Sequence, residues 1–557
     1  MAAESPAPSP AECDQRRAWV YWLLGAAMLV ATVAILHAGR GTLAWYDEWS
    51  FIIDRRGHSL DTLLRDHNGH LVVAPLLLYK VLLQIAGLTD YWVFRAALAG
   101  LHLAVALGVF VLARRRVGEV AALVATVLVL FCFAGADDLI WAFQISFVMA
   151  VAFGVWALVA LERNSVRGDL LACLCLIGAL ATSGVGAPFV LGALVIVACD
   201  DRRLRRAWVV VVPLLLFAIW HLKYHPANQL SFHELPTVPR FVSELASNAV
   251  GGLAGLGIDY GRPLALALAG AVILRFAVPR RVTPWLLAMV VVALGLWGLI
   301  ALDRSWIDMS ALVPRYIYPG AVLVVLIVVE LLRGRRLAPR SAAIALAVVC
   351  VAGLANYGVL RGMGGGLRSN AEVLQARLGA LSLVADSVAP GFQPAPREDP
   401  QITARGALEA QIDFGRIALT RDQLVVASVA QRAAADAVLL SVPQVTVEPI
   451  AGVSGGAPNL LAVSGARALL VAGCQRIIPT DPGSTVDIAL PAGSSIELLS
   501  SASVPLYLRR FGDSYGETPN LVVGAGQATL LSAKRDEGGV AWTVEAKPSA
   551  PLTICAR

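Results

Sequence analysis

Long blocks of apolar residues separated by short polar stretches run through the chain as far as residue 360. They occupy residues 18–38, 91–113, 120–134, 145–161, 170–181, 188–199, 208–222, 264–278, 285–302, 317–332 and 342–360. A helix of about 20 apolar residues crosses the ~30 Å hydrocarbon core of a bilayer, so the pattern predicts about eleven transmembrane helices. The two blocks flanking Thr182, Ser183 and Gly184 are short and predict a hairpin of thin or tilted helices. The stretch at 71–88 is apolar too, but Pro75, Lys80 and Gln84 within it suit a helix lying at the interface.

Beyond residue 361 the pattern changes. Glycines 362, 364, 365 and 366 mark a boundary, and a helical period follows at 370–388. A Pro-rich linker at 389–400 leads to further helical patterns at 404–414 and 421–440. From 445 the period becomes two, with short runs at 445–450, 495–499, 504–508 and 540–545 between Gly, Pro, Ser and Asp turns, which predicts a β-sandwich. The expected fold is a polytopic α-helical membrane domain followed by an extracytoplasmic α+β region that ends in a β-sandwich. Its divisions are a disordered tail at 1–17, a transmembrane domain at 18–360, a helical and Pro-rich connection at 361–444, and the sandwich at 445–557.

Composition excludes a soluble globule, because 57% of the 557 residues are hydrophobic and 15% charged. The net charge of +6 is carried by arginines clustered between apolar blocks. They read as topology signals, with no nucleic-acid partner implied. Arg114 to Arg116, Arg163 with Arg167, the arginines between 202 and 206, Arg280 with Arg281, and those between 333 and 340 can all be cytoplasmic together if 71–88 does not cross. The N-terminus is then cytoplasmic and everything beyond Arg361 lies outside the cell membrane. Of eight cysteines, only Cys474 and Cys555 belong to the C-terminal domain, where an oxidising compartment would allow a disulfide. Cys173 and Cys175 sit in an apolar block without a neighbouring His and read as packing residues.

Several outer-loop residues could carry chemistry. The first loop places Asp47 and Glu48 among Trp45, Tyr46, Trp49 and Phe51, where partial desolvation raises the cost of charge. A second acid pair, Asp137 and Asp138, opens the next outer loop ahead of Trp141 and Gln144. Converging carboxylates suit sugar transfer, one as base towards an acceptor hydroxyl and another to orient it or hold a metal. His67, Asn68 and His70 add possible ligands or donors in the first loop. Arg315, followed by Tyr316, stands at the outer mouth of a late span with the planar fork of donors that fits phosphate. In the C-terminal domain Tyr507, Tyr515 and Trp542 are candidates to stack on sugar rings, although for Trp542, in its alternating strand, filling the core is the favoured reading.

The order of these signals resembles the GT-C superfamily of polyprenyl-phosphate-sugar transferases, in particular the branch with the protein O-mannosyltransferases and the lipid A aminoarabinose transferase. The matching features are Asp47-Glu48 after the first span, the Pro75-Leu76-Leu77-Leu78-Tyr79 run before a span containing Arg95, Asp137 or Asp138 in the second outer loop, the hairpin at Ser183-Gly184, and Arg315-Tyr316. The resemblance covers roughly residues 18–360. It implies that Asp47 is a base or metal-linked carboxylate and that basic outer-face residues hold the carrier phosphate. The chain departs from the family pattern at Ala74, where a lysine is frequent and His70 or Lys80 would have to substitute, and at Ser183, where the hairpin lacks the frequent lysine.

These residues lead to an expected glycosyltransferase, hexosyl or pentosyl, inverting at the sugar. Catalytic groups are Asp47, Glu48, Asp137 and Asp138, with Arg315, Tyr316, His67, His70, Lys80 and Arg95 on the substrate side. A divalent ion of unspecified identity on Asp47 and Asp138 is the expected cofactor, with no nucleotide. The donor is a polyprenyl-monophosphate sugar and the acceptor an envelope glycan, glycolipid or protein. The Ala, Arg and Val richness fits a high-GC bacterium, for which arabinose or mannose is the natural sugar. The rival expectations are a transporter or lipid-linked-sugar flippase, and a non-catalytic glycan-binding scaffold. Transport sites sit near the midplane, whereas these candidates sit at span ends on one face.

Overall fold

The computed structural model describes residues 10–225, 235–278, 282–304, 310–536 and 539–557. The chain divides into two compact units, Met1–Arg368 and Ser369–Arg557. Of the tail expected at 1–17, residues 1–9 lie outside the described residues, as do Arg280 and Arg281.

The first unit is helical. Helix α1 (Pro10–Ala38) leads into a long loop holding α2 (Leu60–Leu64) and α3 (Val73–Ala86). Then come α4 (Trp92–Val117), α5 (Glu119–Leu130), the short α6 (Ala136–Ile140), α7 (Ile145–Leu161), α8 (Val166–Leu180), α9 (Ala187–Ala198), the short α10 (Arg203–Arg206) and α11 (Trp208–Tyr224). Helices α12 (Val238–Ala254), α13 (Gly257–Phe276), α14 (Pro284–Arg304), α15 (Ile317–Leu331) and α16 (Pro339–Leu383) complete the series, α16 running on into the second unit.

Among the described residues nine helices are long and apolar enough to cross a membrane. The other two expected spans are α8 and α9, which have 15 and 12 residues. At ~1.5 Å per residue they reach only about 20 Å, so the hairpin is there but its members fall short of a full bilayer core. Helix α3 has 14 residues and is likewise too short to cross a flat core.

Two sequence expectations about the first unit and its boundary are corrected. The outer loop expected across 223–263 contains α12, which the block pattern hides because its buried apolar residues, Leu245, Ala249 and Leu253, recur every fourth position among Gly, Ser and Asn. Glycines let α12 and α13 touch: a Cβ on Gly261 would collide with the Ser247 carbonyl, and one on Gly251 with the Gly257 carbonyl. The glycine run at 362–366 does not end the helix either, since α16 continues through it for 45 residues in all. Gly364 lies against the Ala38 carbonyl where no side chain fits. Arg368 closes the junction by donating to the Arg40 carbonyl at 2.7 Å. The two compact units divide after Arg368.

The second unit has its own helices, α17 (Ala404–Phe414), α18 (Arg421–Val425) and α19 (Val429–Ser441). The single helical stretch expected at 421–440 is broken because Thr420 with Gln423, and Ser428 with Gln431, form two capping boxes. Eleven strands follow: β1 (Val445–Pro449), β2 (Leu460–Ser464), β3 (Ala466–Val471), β4 (Cys474–Pro479), β5 (Thr485–Leu490), β6 (Ser495–Ser500), β7 (Val504–Arg509), β8 (Leu521–Val523), β9 (Thr529–Ala533), β10 (Trp542–Ala546) and β11 (Leu552–Ala556). They form two antiparallel sheets, β1-β9-β6-β11-β4-β3 and β2-β5-β10-β7-β8. Alternate residues of β7, β9 and β10 are buried, as a sandwich with one inner face per sheet requires. Trp542 is 1% exposed and fills the core, whereas Tyr507 lies under Lys547 and Tyr515 under Arg509.

Cys474 and Cys555, on the adjacent strands β4 and β11, are disulfide-bonded. Buried Asp436 on α19 accepts from the backbone N–H groups of Arg510, Phe511 and Gly512, each at 2.9 Å. Arg510 in turn pairs bidentately with Asp536 at 2.5 and 2.8 Å. Helices and sandwich are thus joined through polar groups that have no water to turn to.

Candidate active site

The first loop folds as successive turns in which the N–H groups of Glu48, Trp49 and Ser50 donate to the carbonyls of Trp45, Tyr46 and Asp47. Tyr46 adopts a left-handed φ of 50°, an uncommon conformation for a bulky side chain. The adjacent acids then meet opposite surroundings. Glu48 is fully buried and accepts from the Tyr79 hydroxyl at 2.5 Å, the Tyr91 hydroxyl, the Trp45 N–H at 2.9 Å and the Trp141 indole at 3.0 Å. Burial pushes its carboxyl up to about 7, against the pull of these four donors. Both oxygens being engaged, Glu48 fastens the loop to α3, to the start of α4 and to the segment after α6.

Asp47 is half-buried. Burial raises its pKa above the usual carboxylate range, and the guanidinium groups of Arg315 and Arg304 oppose that rise. Arg315 belongs to the 3₁₀ turn Pro314–Tyr316 that opens α15. Its backbone hydrogen-bonds the Asp137 carboxylate, and its charge also acts on Asp138. The α6 segment reaches this turn because Gly135 lies against α15, where a Cβ would stand 2.8 Å from that of Tyr318. Asp138 is fully buried, and neither carboxylate oxygen has a hydrogen-bond partner among the described residues. The charge of Arg315 therefore acts on Asp47, Asp137 and Asp138 alike, although the first loop, α6 and α15 are remote in sequence.

Residues that the sequence patterns did not single out also act on this cluster. Arg304, the last residue of α14, pairs with Asp303 at 3.1 Å and hydrogen-bonds the buried Tyr316. Its charge acts on Asp47 and, together with that of Asp303, on His70. An Asp-Arg pair closing an apolar block was the available signal. His70 lies beside the α8–α9 turn, its Cε1 being 3.1 Å from where a Cβ on Gly184 would stand.

The remaining expected residues serve the loop itself. His67 and His70 exchange backbone hydrogen bonds at 2.9 and 3.0 Å, and the His67 ring packs edge-on against Phe51 and Phe143. Burial pulls His67 down to about 4 and lowers His70 too, so His67 is neutral at pH 7 and cannot serve there as a cation for phosphate. Lys80 donates to the Arg55 and Gly57 carbonyls. Arg95 donates to the Thr42 hydroxyl at 2.7 Å and lies over the Tyr91 ring. Both place their donors on the scaffold of the loop.

Among the described residues no three His, Cys, Asp or Glu side chains form a group that could hold a divalent ion. The charge of Arg315 acts on Asp47, Asp137 and Asp138.

No protein-family model matches the chain, and no curated protein matches it. Among solved structures it is similar to ArnT from Cupriavidus metallidurans bound to undecaprenyl phosphate, with a TM-score of 0.46 and 16% identity over 72% of this chain and 89% of that one. It is also similar to ArnT from the same organism in the apo state, with a TM-score of 0.46 and 16% identity over 73% and 91%.

Proposed function

We propose that this chain is a membrane glycosyltransferase that moves a sugar from a polyprenyl-monophosphate donor to a hydroxyl of an extracytoplasmic acceptor, an envelope glycan, glycolipid or protein. The observation that carries this reading is that Arg315, whose backbone hydrogen-bonds Asp137, acts through its charge on Asp47, Asp137 and Asp138, acids drawn from two separate outer loops. The motif order from Asp47-Glu48 to Arg315-Tyr316 supports it.

In the proposed reaction Asp47 takes the proton of the acceptor hydroxyl as its oxygen bonds to the anomeric carbon. The bond from that carbon to the phosphate oxygen breaks with inversion, and its electron pair leaves on the polyprenyl phosphate. A carboxylate raised above its usual pKa by burial is a stronger base than one in water, and Asp47 has that environment. The departing phosphate gains negative charge, which a fixed guanidinium in a poorly hydrated site stabilises more than water does; Arg315 takes that role, with Arg304 as a second cation acting on Asp47. Glu48 keeps the loop in register and takes no part in proton transfer. No step is routed through a metal.

The cluster faces outside in this reading and the arginine-rich span ends face the cytoplasm. Membranes containing the chain, incubated with labelled polyprenyl-phosphate sugars, arabinose and mannose included, should move label from lipid to an acceptor. Asp47→Asn should slow that transfer by about 10²- to 10⁴-fold while insertion is unchanged. Transfer by Asp47→Asn within twofold of the parent would remove Asp47 as the base.

A further inference from the structure

A second polar site lies at the far ends of the helices that build the first. Helices α4, α7 and α15 each begin near the acid cluster, and their opposite ends carry Arg115 and Arg116, Glu162, and Glu330 with Arg333. The 26 residues of α4 put about 40 Å between its ends. A cavity of about 380 Å³ opens there, its wall formed by Arg115, Arg206 and Arg333 with the acids Glu162 and Asp200, and by Leu161, Ile196 and Trp285.

The charges around it divide into two groups. In one, Arg206 pairs with Asp169 at 2.6 Å and Asp200 at 2.7 Å, while Arg202 approaches Asp200 at 3.8 Å, so two cations meet two acids. In the other, Glu162 takes Arg115 at 2.9 Å and also Arg116, and Glu330 takes Arg116 and also Arg333 at 2.9 Å. Three arginines share two carboxylates, which leaves one positive charge. Arg116 is 4% exposed and lies over the Trp285 ring, so it is committed to the interior. Arg115 and Arg333 have side chains 45% and 36% exposed, with donors beyond those used on Glu162 and Glu330.

We infer that this cavity binds the phosphodiester headgroup of an anionic phospholipid. One uncompensated positive charge matches one phosphodiester. Basic pockets between membrane helices are suited to anionic headgroups, and Trp285 has the amphipathic ring found at membrane interfaces. Leu161 and Ile196 give the glycerol and upper acyl carbons an apolar wall, which a free phosphate ion would leave unused. The lipid ties α4, α7, α14 and α15 together through their ends.

The full chain, purified in a neutral detergent, tests this by native mass spectrometry with phosphatidylglycerol, phosphatidylcholine and inorganic phosphate as probes. Phosphatidylglycerol should be retained at concentrations where phosphatidylcholine is not, and Arg115→Gln and Arg333→Gln should each weaken it about fivefold. Arg203→Gln, an exposed arginine outside the cavity wall, should leave retention unchanged. Melting temperatures without lipid check that the variants are folded. Equal retention of both phospholipids, or equal weakening by Arg203→Gln, would overturn the site. Displacement of phosphatidylglycerol by equimolar inorganic phosphate would overturn the lipid assignment in favour of a soluble phosphate. Retention measures binding without turnover, so it stands or falls separately from the glycosyltransferase reading.

Discussion

Neighbouring residues in one turn, Asp47 and Glu48, show how little the identity of a side chain determines its use. Glu48 has four donors and no solvent, Asp47 two arginines and partial exposure. The buried acid makes a pH prediction. A glutamate of ordinary pKa 4.5 that is held at about 7 in the folded state keeps its proton where the unfolded chain has released it. Its contribution to stability is therefore fully present below pH 4.5 and lost as pH rises through 7, by up to about 3 kcal/mol. His67, pulled down to about 4, contributes with the opposite sign, present above pH 6.5 and lost as pH falls through 4. Comparison with Glu48→Gln isolates the glutamate: thermal unfolding in detergent from pH 4.5 to 8 should show the parent losing stability relative to the variant as pH rises. Parallel profiles would mean that Glu48 is already ionised. At Arg315 the charge-preserving variant is informative. Arg315→Lys keeps a cation but loses the planar fork, so donor affinity should fall by about tenfold in a donor titration, whereas equal affinity in Lys and Ala variants would leave Arg315 with no hold on the donor.

Elements were legible in the sequence wherever one periodicity ran long enough. The apolar blocks, the short hairpin and the period-two strands all have counterparts, and Trp542 takes the core position its alternating strand allowed. What escaped was set by contacts between remote segments. Helix α12 meets α13 through close glycine approaches, and Gly364 within α16 meets Ala38, facts that no local window contains. The same holds in the site: Asp47 and Asp137 could be named as candidates, but Arg304 acquires meaning only when α14 brings it beside Tyr316 and Asp47. Tethered strands give a prediction at this scale. The Cys474–Cys555 bridge closes a loop of separation 81, worth about 4.5 kcal/mol in the chain-entropy account. Cys474→Ser should lower the melting temperature of the second unit and expose β4 and β11 to limited proteolysis. Unchanged protease resistance would show that the sheets hold without the bridge.

Across the whole molecule, the acid cluster and the arginine cavity occupy opposite ends of α4, α7 and α15, so one labelling experiment addresses both. On a cysteine-free background, Ser59→Cys should react with an impermeant maleimide added to intact cells, and Ser165→Cys only after lysis. Reaction of Ser165→Cys from outside would invert the proposed orientation and move the acids to the cytoplasmic side. The second unit carries a different lesson in its Asp436 carboxylate. A fragment cut at residue 445, where the strands begin, would strand the N–H groups of Arg510, Phe511 and Gly512, each at a cost of about 1–3 kcal/mol if buried unpaired. The smallest inheritable piece of this architecture is accordingly sandwich plus preceding helix. Gene fusions that exchange the sandwich between relatives should survive when the breakpoint lies before α19 and fail when it lies after.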